Sequence, residues 1–290
     1  MRIGVFGSEC KEDKLLVIKG LFDKLVALKS EIFVQSSFYD FLKNEFNYNP
    51  EKSGFIENEV SDLDIVLSVG GDGTFLRTAV QIEKQNIPIL GINTGRLGFL
   101  ADIGSDQINE TLEELFRGDY KIEERTLLRL YSEKHAFSGF NYALNEIAIL
   151  KRDTSSMITI HTLLNDEYLT SYQSDGLVVA TPTGSTAYSM SVNGPILLPQ
   201  NRNFILSPVA PHSLNVRPIV IPDDFVITLN VESRTNSFLV ALDGRSEDMP
   251  VGISLKISKA DFATRVIKRF NQTFYQTLRE KLMWGADHRS

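Results

Sequence analysis

Hydrophobic and polar positions follow two different patterns along the chain, and the pattern changes near residue 121. In the first part, short apolar runs typical of buried strands alternate with segments whose apolar residues recur every three or four positions, as in an amphipathic helix. Strands are predicted at 2–6, 31–35, 63–71 and 87–95, and helices at 11–28, 37–46, 74–84 and 106–116. The polar stretch 48–62 is predicted to be a loop. Such alternation predicts a Rossmann-like parallel sheet covered by helices.

Beyond Lys121, strand patterns follow one another without long helices between them. Residues 157–164 alternate strictly and meet another run across Asn165 and Asp166, which is typical of a hairpin. The runs 225–232, 238–244 and 252–258 alternate in the same way, and this half is predicted to be an all-β sandwich. Helical spacing returns at 270–283, in a helix expected to pack on the first domain. We therefore predict an N-terminal α/β domain, 1–122, completed by 269–290, and a β-sandwich domain, 123–268.

Composition narrows the classes of function. With 42% hydrophobic and 23% charged residues, the chain of 290 residues is typical of a globular protein large enough for two domains. Its formal charge of −7 argues against nucleic acid or an anionic membrane as the main partner. A single cysteine excludes an internal disulfide, and the sequence has neither a signal peptide pattern nor an apolar run of roughly 18 residues. These features predict a cytoplasmic protein.

The first chemical signal is Gly70-Gly71-Asp72-Gly73-Thr74, placed where a strand ends and a helix begins. Glycines at such a turn let a ligand approach the backbone, and the free N–H groups of a helix start attract phosphate. The pattern is neither the dinucleotide fingerprint nor the P-loop. A turn that only connects the strand to the helix, with no ligand, remains an alternative. The carboxylate of Asp72 is the informative part, because it would repel phosphates unless a metal intervenes or it acts as a base.

Two later stretches add polar groups of the kind that a nucleotide binds. Residues 181–186 form a turn dense in hydroxyls, which would suit a ribose, a base edge or phosphates, or would simply cap the following helix. Asn145 and Glu146 interrupt a strand pattern, so one of them is expected to face inward. An inward Asn or Glu is costly without partners, and a ligand could supply them; a strand bulge is the alternative.

Taken together, these stretches closely resemble the NAD kinase family. The matching segments run through nearly the whole chain: GGDGT at 70–74, GINTGRLGFLAD at 91–102, LNE at 144–146, SDGLVVATPTGSTAYSMS at 174–191, GPIL at 194–197 and PHSLNVRPIVIP at 211–222. The segment TPTGSTAY is highly specific, whereas the glycine turn alone is also similar to those of lipid kinases and phosphofructokinases. The resemblance implies transfer of a phosphoryl group from ATP, or from polyphosphate, to the 2′-hydroxyl of the adenosine ribose of NAD.

The resemblance also implies roles for individual residues. Asp72 would be the base that takes the 2′-hydroxyl proton, and Gly73 would let the substrate approach. Asn145 and Glu146 would hold the adenosine portion, and Asp175 would contact the nicotinamide side. The adenine and ribose pocket would be lined by Thr186, Ala187, Tyr188, Ser189, Met190 and Ser191. Arg77, one helical turn beyond Asp72, would meet a phosphate, although a surface salt bridge explains it equally well.

Some features depart from the family or stay open. Arg245 stands where many relatives have a neutral residue, and it could reach a phosphate, a neighbouring subunit or solvent. No acidic cluster suggests a protein metal cage, so Mg²⁺ is expected to arrive on the phosphates of the nucleotide. The family suggests a homodimer or homotetramer. The alternatives are a lipid kinase of the diacylglycerol or sphingoid type, which would need an apolar acceptor cleft, and a nucleotide-sensing protein without turnover.

Overall fold

The computed structural model describes residues 1–57, 62–95, 97–133, 135–152 and 156–285. The first elements are β1 (Arg2–Gly7), α1 (Leu15–Ala27), β2 (Glu31–Gln35), α2 (Ser36–Phe46), β3 (Gly54–Ile56), β4 (Ile65–Gly70), α3 (Asp72–Ile82), β5 (Ile89–Asn93) and α4 (Ile108–Arg117). The strands that follow are β6 (Tyr120–Tyr131), β7 (Tyr142–Ala143), β8 (Glu146–Leu150), β9 (Ile158–Leu164), β10 (Glu167–Ser174) and β11 (Gly176–Ala180). The chain continues with α5 (Tyr188–Ser191), β12 (Asn203–Val209), β13 (Ile219–Pro222), β14 (Ile227–Glu232), β15 (Ser237–Leu242), β16 (Arg245–Pro250), β17 (Ser254–Arg269) and α6 (Phe274–Leu282).

The chain divides into two compact units, one formed by Met1–Glu124 with Thr264–Ser290 and the other by Arg125–Ala263. In the first unit, β3, β2, β1, β4 and β5 pair in that order, all parallel, and Val266 near the end of β17 adds a further parallel partner to β5. Helices α1, α2 and α4 bury apolar faces in the core of this unit, and α3 packs on β4. This arrangement confirms the predicted α/β fold.

The second unit is a β-sandwich, as predicted. One sheet is antiparallel with the strand order β13, β12, β11, β8, β15 and β16, and the other contains β10, β9, β14 and the first part of β17. Alternate residues of both sheets enter one core, which includes Ile160 of β9, Val179 of β11 and Leu229 of β14. The turn between β9 and β10 holds Asn165 and Asp166 at positive φ, as the predicted hairpin requires.

Three details differ from the sequence-based prediction. The stretch 48–62 is not wholly a loop, because β3 pairs with β2 there, although 58–61 lie outside the described residues. Helix α3 begins at Asp72 rather than at Thr74, so the aspartate is the first residue of the helix. Helix α6 begins at Phe274 rather than at 270, since β17 continues to Arg269. No helix within the described ranges is long and apolar enough to cross a membrane.

Candidate functional site

The first group of predicted residues lies at the carboxyl edge of the parallel sheet. Strands β1, β4 and β5 end side by side there, so that Gly70 is paired with Asn93 and the hydroxyl of Ser8 lies 2.9 Å from that of Thr74. Helix α3 starts directly after Gly71, and its first residue is Asp72. The carboxyl edge of a parallel sheet is where ligands of α/β proteins usually bind.

The Asp72 carboxylate is held by a row of backbone donors. The N–H of Phe99 donates to Oδ2 at 2.9 Å, and those of Leu100 and Ala101 donate to Oδ1 at 3.0 and 2.9 Å. Nζ of Lys281, on α6, lies 3.2 Å from Oδ2. Burial by itself would raise the pKa of Asp72, but the three N–H groups and the lysine charge outweigh it and lower that pKa. Asp72 is therefore ionised at neutral pH.

The segment that supplies these donors is itself fixed. Asp102 forms an ion pair with Lys268 at 2.5 Å, with both side chains almost fully buried, and its carbonyl accepts from Gln272 at 2.7 Å. A β carbon on Gly98 would overlap Asp72 Oδ1 and lie 2.9 Å from the Ala101 carbonyl oxygen, so this position requires glycine. Arg96 of the matched segment, two positions before Gly98, lies outside the described residues.

The neighbours of Asp72 on α3 are more exposed. Gly73 is open to solvent, and a β carbon there would come no closer than 3.9 Å to Arg77 Nη1. The Arg77 guanidinium donates to the Thr74 hydroxyl at 3.3 Å, and within the described part of the chain it has no carboxylate partner. The alternative explanation, a surface salt bridge, is therefore not found in that part, and the guanidinium faces the same side as Gly73.

The second group of predicted residues lies where three strands of the sandwich meet. Because β8 is antiparallel to both β11 and β15, its first residue, Glu146, pairs with Ala180 at the end of β11, and Ile147 pairs with Leu242 at the end of β15. Three turns therefore converge at one sheet edge. They are 144–146, 181–188 and 243–245.

Asp243, for which no role was predicted from the sequence, organises this edge. Its carboxylate accepts from the N–H groups of Leu144 at 2.7 Å, Asn145 at 2.8 Å and Glu146 at 3.2 Å. Burial raises the pKa of Asp243 despite these donors and despite Arg245 nearby. The sequence signal that could have identified Asp243 is the Asp-Gly pair that follows a strand, a feature that it shares with Asp72.

Glu146 is the polar group of this edge with spare bonding capacity. The backbone N–H of Tyr188 donates to its carboxylate, while its buried Oε2 has no hydrogen-bond partner among the described residues. Burial, assisted by the charge of Asp243, raises the pKa of Glu146 to about 7. A buried carboxyl oxygen without a partner is costly, and it marks a position that a ligand hydroxyl or amide can satisfy.

Asp175 and Tyr188 complete the second group. Asp175 forms an ion pair with Lys151 at 2.7 Å and remains about one third exposed. Burial raises the pKa of Tyr188, and the charges of Glu146 and Asp175 act in the same direction, which places the three side chains near one another. The structure thus brings Asn145, Glu146, Asp175 and Tyr188 to one edge of the second unit, whereas Asp72, Gly73 and Arg77 belong to the first unit.

The hydroxyl-rich turn mainly bonds to its own backbone. Thr181 donates to the Leu144 carbonyl at 2.6 Å, Ser185 to that of Pro182 at 2.7 Å, Thr186 to that of Thr183 at 3.3 Å and Ser191 to that of Tyr188 at 2.7 Å. Thr181 precedes these elements and ties the turn to 144–146. Ser185 and Thr186 belong to a single turn of 3₁₀ helix, Thr183–Thr186, and α5 includes Tyr188, Ser189, Met190 and Ser191; Ala187 links the two. The alternative that these hydroxyls simply cap the following helix is not what the structure shows, because neither the 3₁₀ helix nor α5 has a side-chain hydrogen bond from its N-cap residue. The hydroxyls donate to carbonyl oxygens instead, and these bonds give the turn a rigid shape.

Arg245 is held by hydrogen bonds within its own unit. Its guanidinium donates to the carbonyl oxygen of Phe140 and, at 2.6 Å, to that of Tyr142, and it lies over the Phe140 ring at 5.4 Å. The sequence left open whether Arg245 reaches a phosphate, a neighbouring subunit or solvent. Free exposure to solvent is excluded, because the side chain is half-buried. In this structure Arg245 fixes the segment that leads into 144–146.

Comparison with known proteins gives a consistent result. Residues 13–120 match the family model of the ATP-NAD kinase N-terminal domain, and residues 144–269 match that of the C-terminal domain. An NAD kinase of Bacteroides fragilis is 50% identical over 289 residues, covering 100% of both chains. An NAD kinase of Porphyromonas gingivalis is 48% identical over 285 residues, or 98% of both chains.

Solved structures agree. The crystal structure of an NAD kinase from Archaeoglobus fulgidus in complex with ATP superposes with a TM-score of 0.77 at 27% identity, covering 98% of this chain and 99% of that one. The crystal structure of yeast NADH kinase complexed with NADH gives a TM-score of 0.88 at 22% identity, covering 100% of this chain and 89% of that one. The latter likeness is one of fold.

Proposed function

This chain belongs to the NAD kinase family, and from that premise we propose that Asp72 is the catalytic base of its reaction. The enzyme phosphorylates NAD with ATP as donor, giving NADP and ADP. Full-length similarity to NAD kinases does not favour a lipid kinase. The acceptor atom in the proposal is the 2′-hydroxyl oxygen of the adenosine ribose.

The observation that carries the proposal is the state of Asp72. It is an ionised carboxylate at the first position of a helix, in a glycine turn that leaves room for a substrate. In the proposed step, Asp72 takes the hydroxyl proton as the ribose oxygen bonds to the γ-phosphorus and the bond to the ADP oxygen breaks. A low pKa makes Asp72 a weak base, which is acceptable because phosphoryl transfer depends mostly on alignment and charge stabilisation.

The second unit supplies the recognition groups of the proposal. The unpartnered oxygen of Glu146 is suited to a ribose hydroxyl, and the side chain of Asn145 offers both a donor and an acceptor to a base edge. Tyr188, with Thr186, Ala187, Ser189, Met190 and Ser191, would line the adenine and ribose pocket on the rigid turn. Asp175 would contact the nicotinamide side, and Gly73 and Arg77 would admit the substrate and meet a phosphate.

A divalent ion enters the proposal as part of the nucleotide substrate. The described residues contain no group of three or more His, Cys, Asp or Glu side chains arranged to hold a metal ion. They do not fit a resident metal, and no step is assigned to one. Mg²⁺ bound to the phosphates of ATP would neutralise charge during transfer. The use of polyphosphate, a cytoplasmic location, assembly into a homodimer or homotetramer and the domain boundaries 122/123 and 268/269 remain predictions.

The proposal is tested by the product. Purified protein incubated with NAD, ATP and Mg²⁺ should form NADP and ADP in equal amounts, and ³¹P NMR should show the new phosphate as a monoester at the 2′ position of the adenosine ribose. Omitting ATP is the control. A phosphate at any other position would contradict the proposed acceptor atom, and failure to form NADP with ATP or polyphosphate would remove the activity itself.

A further inference from the structure

The acceptor capacity of Asp72 is fully used in this structure. A carboxylate has two oxygens and about four lone-pair positions. Oδ1 accepts from the N–H groups of Leu100 and Ala101, while Oδ2 accepts from the N–H of Phe99 and from Lys281. A substrate hydroxyl can therefore bond to this carboxylate only if one of the four donors leaves.

Three of the four donors are difficult to move. They are backbone N–H groups of consecutive residues, and the segment is anchored by the buried pair of Asp102 and Lys268 and by Gln272. Ile103 adds a parallel bridge to Ile92 of β5. Breaking a buried ion pair is strongly destabilising, because it leaves an uncompensated buried charge. Displacement of this segment by a hydroxyl is therefore unfavourable.

Lys281 is the donor that is easiest to displace. It makes the longest of the four contacts, 3.2 Å, and its side chain is 30% exposed on a helix near the end of the described chain. Partly exposed ion pairs of this kind contribute little to stability. Its ammonium group also lies 4.6 Å from the centre of the Phe99 ring, so the lysine keeps a cation–π partner after it leaves Oδ2.

We propose that Lys281 is a positioning residue that occupies, on Asp72 Oδ2, the site of the acceptor hydroxyl in the free enzyme, and that NAD displaces it onto the Phe99 ring. The inference rests on the proposed role of Asp72 as base. Before substrate arrives, the lysine holds the carboxylate in its orientation and keeps it ionised. Its departure removes one of the influences that lower the pKa of Asp72, so the base becomes stronger when the hydroxyl is in place.

The test measures the affinity of the full-length protein for NAD by titration calorimetry without ATP. Lys281→Met removes the competitor and should tighten NAD binding about two- to fivefold, the range set by a partly exposed ion pair. Lys281→Arg should bind NAD as the wild type does. Arg279→Met is the matched control, because it removes one charge from the exposed face of the same helix and should leave the affinity unchanged.

A double-mutant cycle locates the effect on Asp72. In an Asp72→Asn background, Lys281→Met should change the affinity for NAD by less than half of its effect in the wild type, since the charged acceptor is gone. Unchanged or weaker NAD binding by Lys281→Met would overturn the proposal, and weaker binding would identify the lysine as a substrate ligand. Circular dichroism and Lys281→Gln, which should tighten binding in the same direction, separate this outcome from misfolding. If Asp72 is not the base, a different result is expected: the Asp72→Asn variant alone would retain full turnover.

Discussion

Two aspartates of this enzyme, one in each unit, accept from three consecutive backbone N–H groups, yet their pKa values shift in opposite directions. Asp72 accepts from the backbone N–H groups of 99–101, and Asp243 accepts from those of 144–146. Asp72 begins helix α3 shortly after β4 ends, and Asp243 begins the turn directly after β15. Nevertheless, the pKa of Asp72 is lowered, whereas that of Asp243 is raised.

Burial accounts for the difference. Asp243 is enclosed, and for it the loss of hydration outweighs three donors and the nearby Arg245. Asp72 keeps 28% of its side chain exposed and gains Lys281 as a partner. Three backbone donors thus orient a carboxylate, and the degree of burial sets the direction in which its pKa shifts. The lowered pKa of Asp72 supports its proposed role as base, whereas the bonds of buried Asp243 indicate a structural role.

The largest expected effect separates the two aspartates by turnover. Asp72→Asn should lower kcat by about 10² to 10⁴-fold while NAD still binds, because the amide cannot take the proton. Asp243→Asn should retain measurable turnover with a raised KM for NAD and a loss of about 1–3 kcal/mol in the free energy of unfolding. Steady-state assays and urea denaturation of both variants check this. Equal losses of kcat in the two variants would show that the two aspartates do not differ in their contribution to catalysis.

A second pair of variants perturbs the glycine that packs against each turn. A β carbon on Gly184 would overlap the Asn145 carbonyl oxygen and lie 2.7 Å from Asn145 Cα, which is backbone and cannot yield. Gly184→Ala should therefore cost about 2–4 kcal/mol of unfolding free energy. Gly98→Ala presses mainly on the Asp72 side chain and should cost less stability but lower kcat at least tenfold. Gly73→Ala, with open space around it, is the stability control. A larger stability loss in Gly98→Ala than in Gly184→Ala would contradict this order.

The pH dependence of stability should come from the second unit. Because the pKa of Glu146 is raised from its ordinary value of 4.5 to about 7, the folded state binds more protons than the unfolded state between these values. Its contribution is fully present below about pH 4.5 and is lost as pH rises to about 7. The lowered pKa of Asp72 acts only at more acidic pH, where stability is lost as pH falls.

Glu146→Gln isolates this contribution. Between pH 5 and pH 8 the wild type should lose about 1–3 kcal/mol of unfolding free energy relative to the variant. Denaturation curves at several pH values measure the difference. Parallel pH profiles for the two proteins would show that Glu146 does not titrate in this range.

The smallest expected effect concerns Arg245. Since its guanidinium bonds to two carbonyl oxygens, Arg245→Met and Arg245→Lys should each lose about 1–2 kcal/mol of stability, and the KM for NAD should change less than twofold. Lysine keeps the charge but not the fork of donors. If Arg245→Lys retains the wild-type KM while Arg245→Met raises it tenfold, the charge acts on substrate instead.

The local patterns of the sequence predicted most elements, because the central strands of the first unit are continuous buried runs and its helices bury periodic apolar faces. What they missed depends on contacts between distant positions. Residues 54–56 form β3 only because the edge of β2 is available to them. The same holds for the environment of Asp72, whose partners at 99–101 and 281 cannot be read from the spacing of residues. The role of Asp243 was missed because its donors lie about a hundred positions earlier in the chain.

The discontinuous first unit has a consequence for synthesis on the ribosome. Asp72 is translated early, but Lys268, Gln272 and Lys281, which fix its surroundings, are among the last residues to emerge. The nascent chain must therefore produce the whole second unit before the surroundings of Asp72 can be completed. A chain interrupted after residue 263 would keep the donors at 99–101 but lack Lys281 and the two side chains that anchor the donor segment.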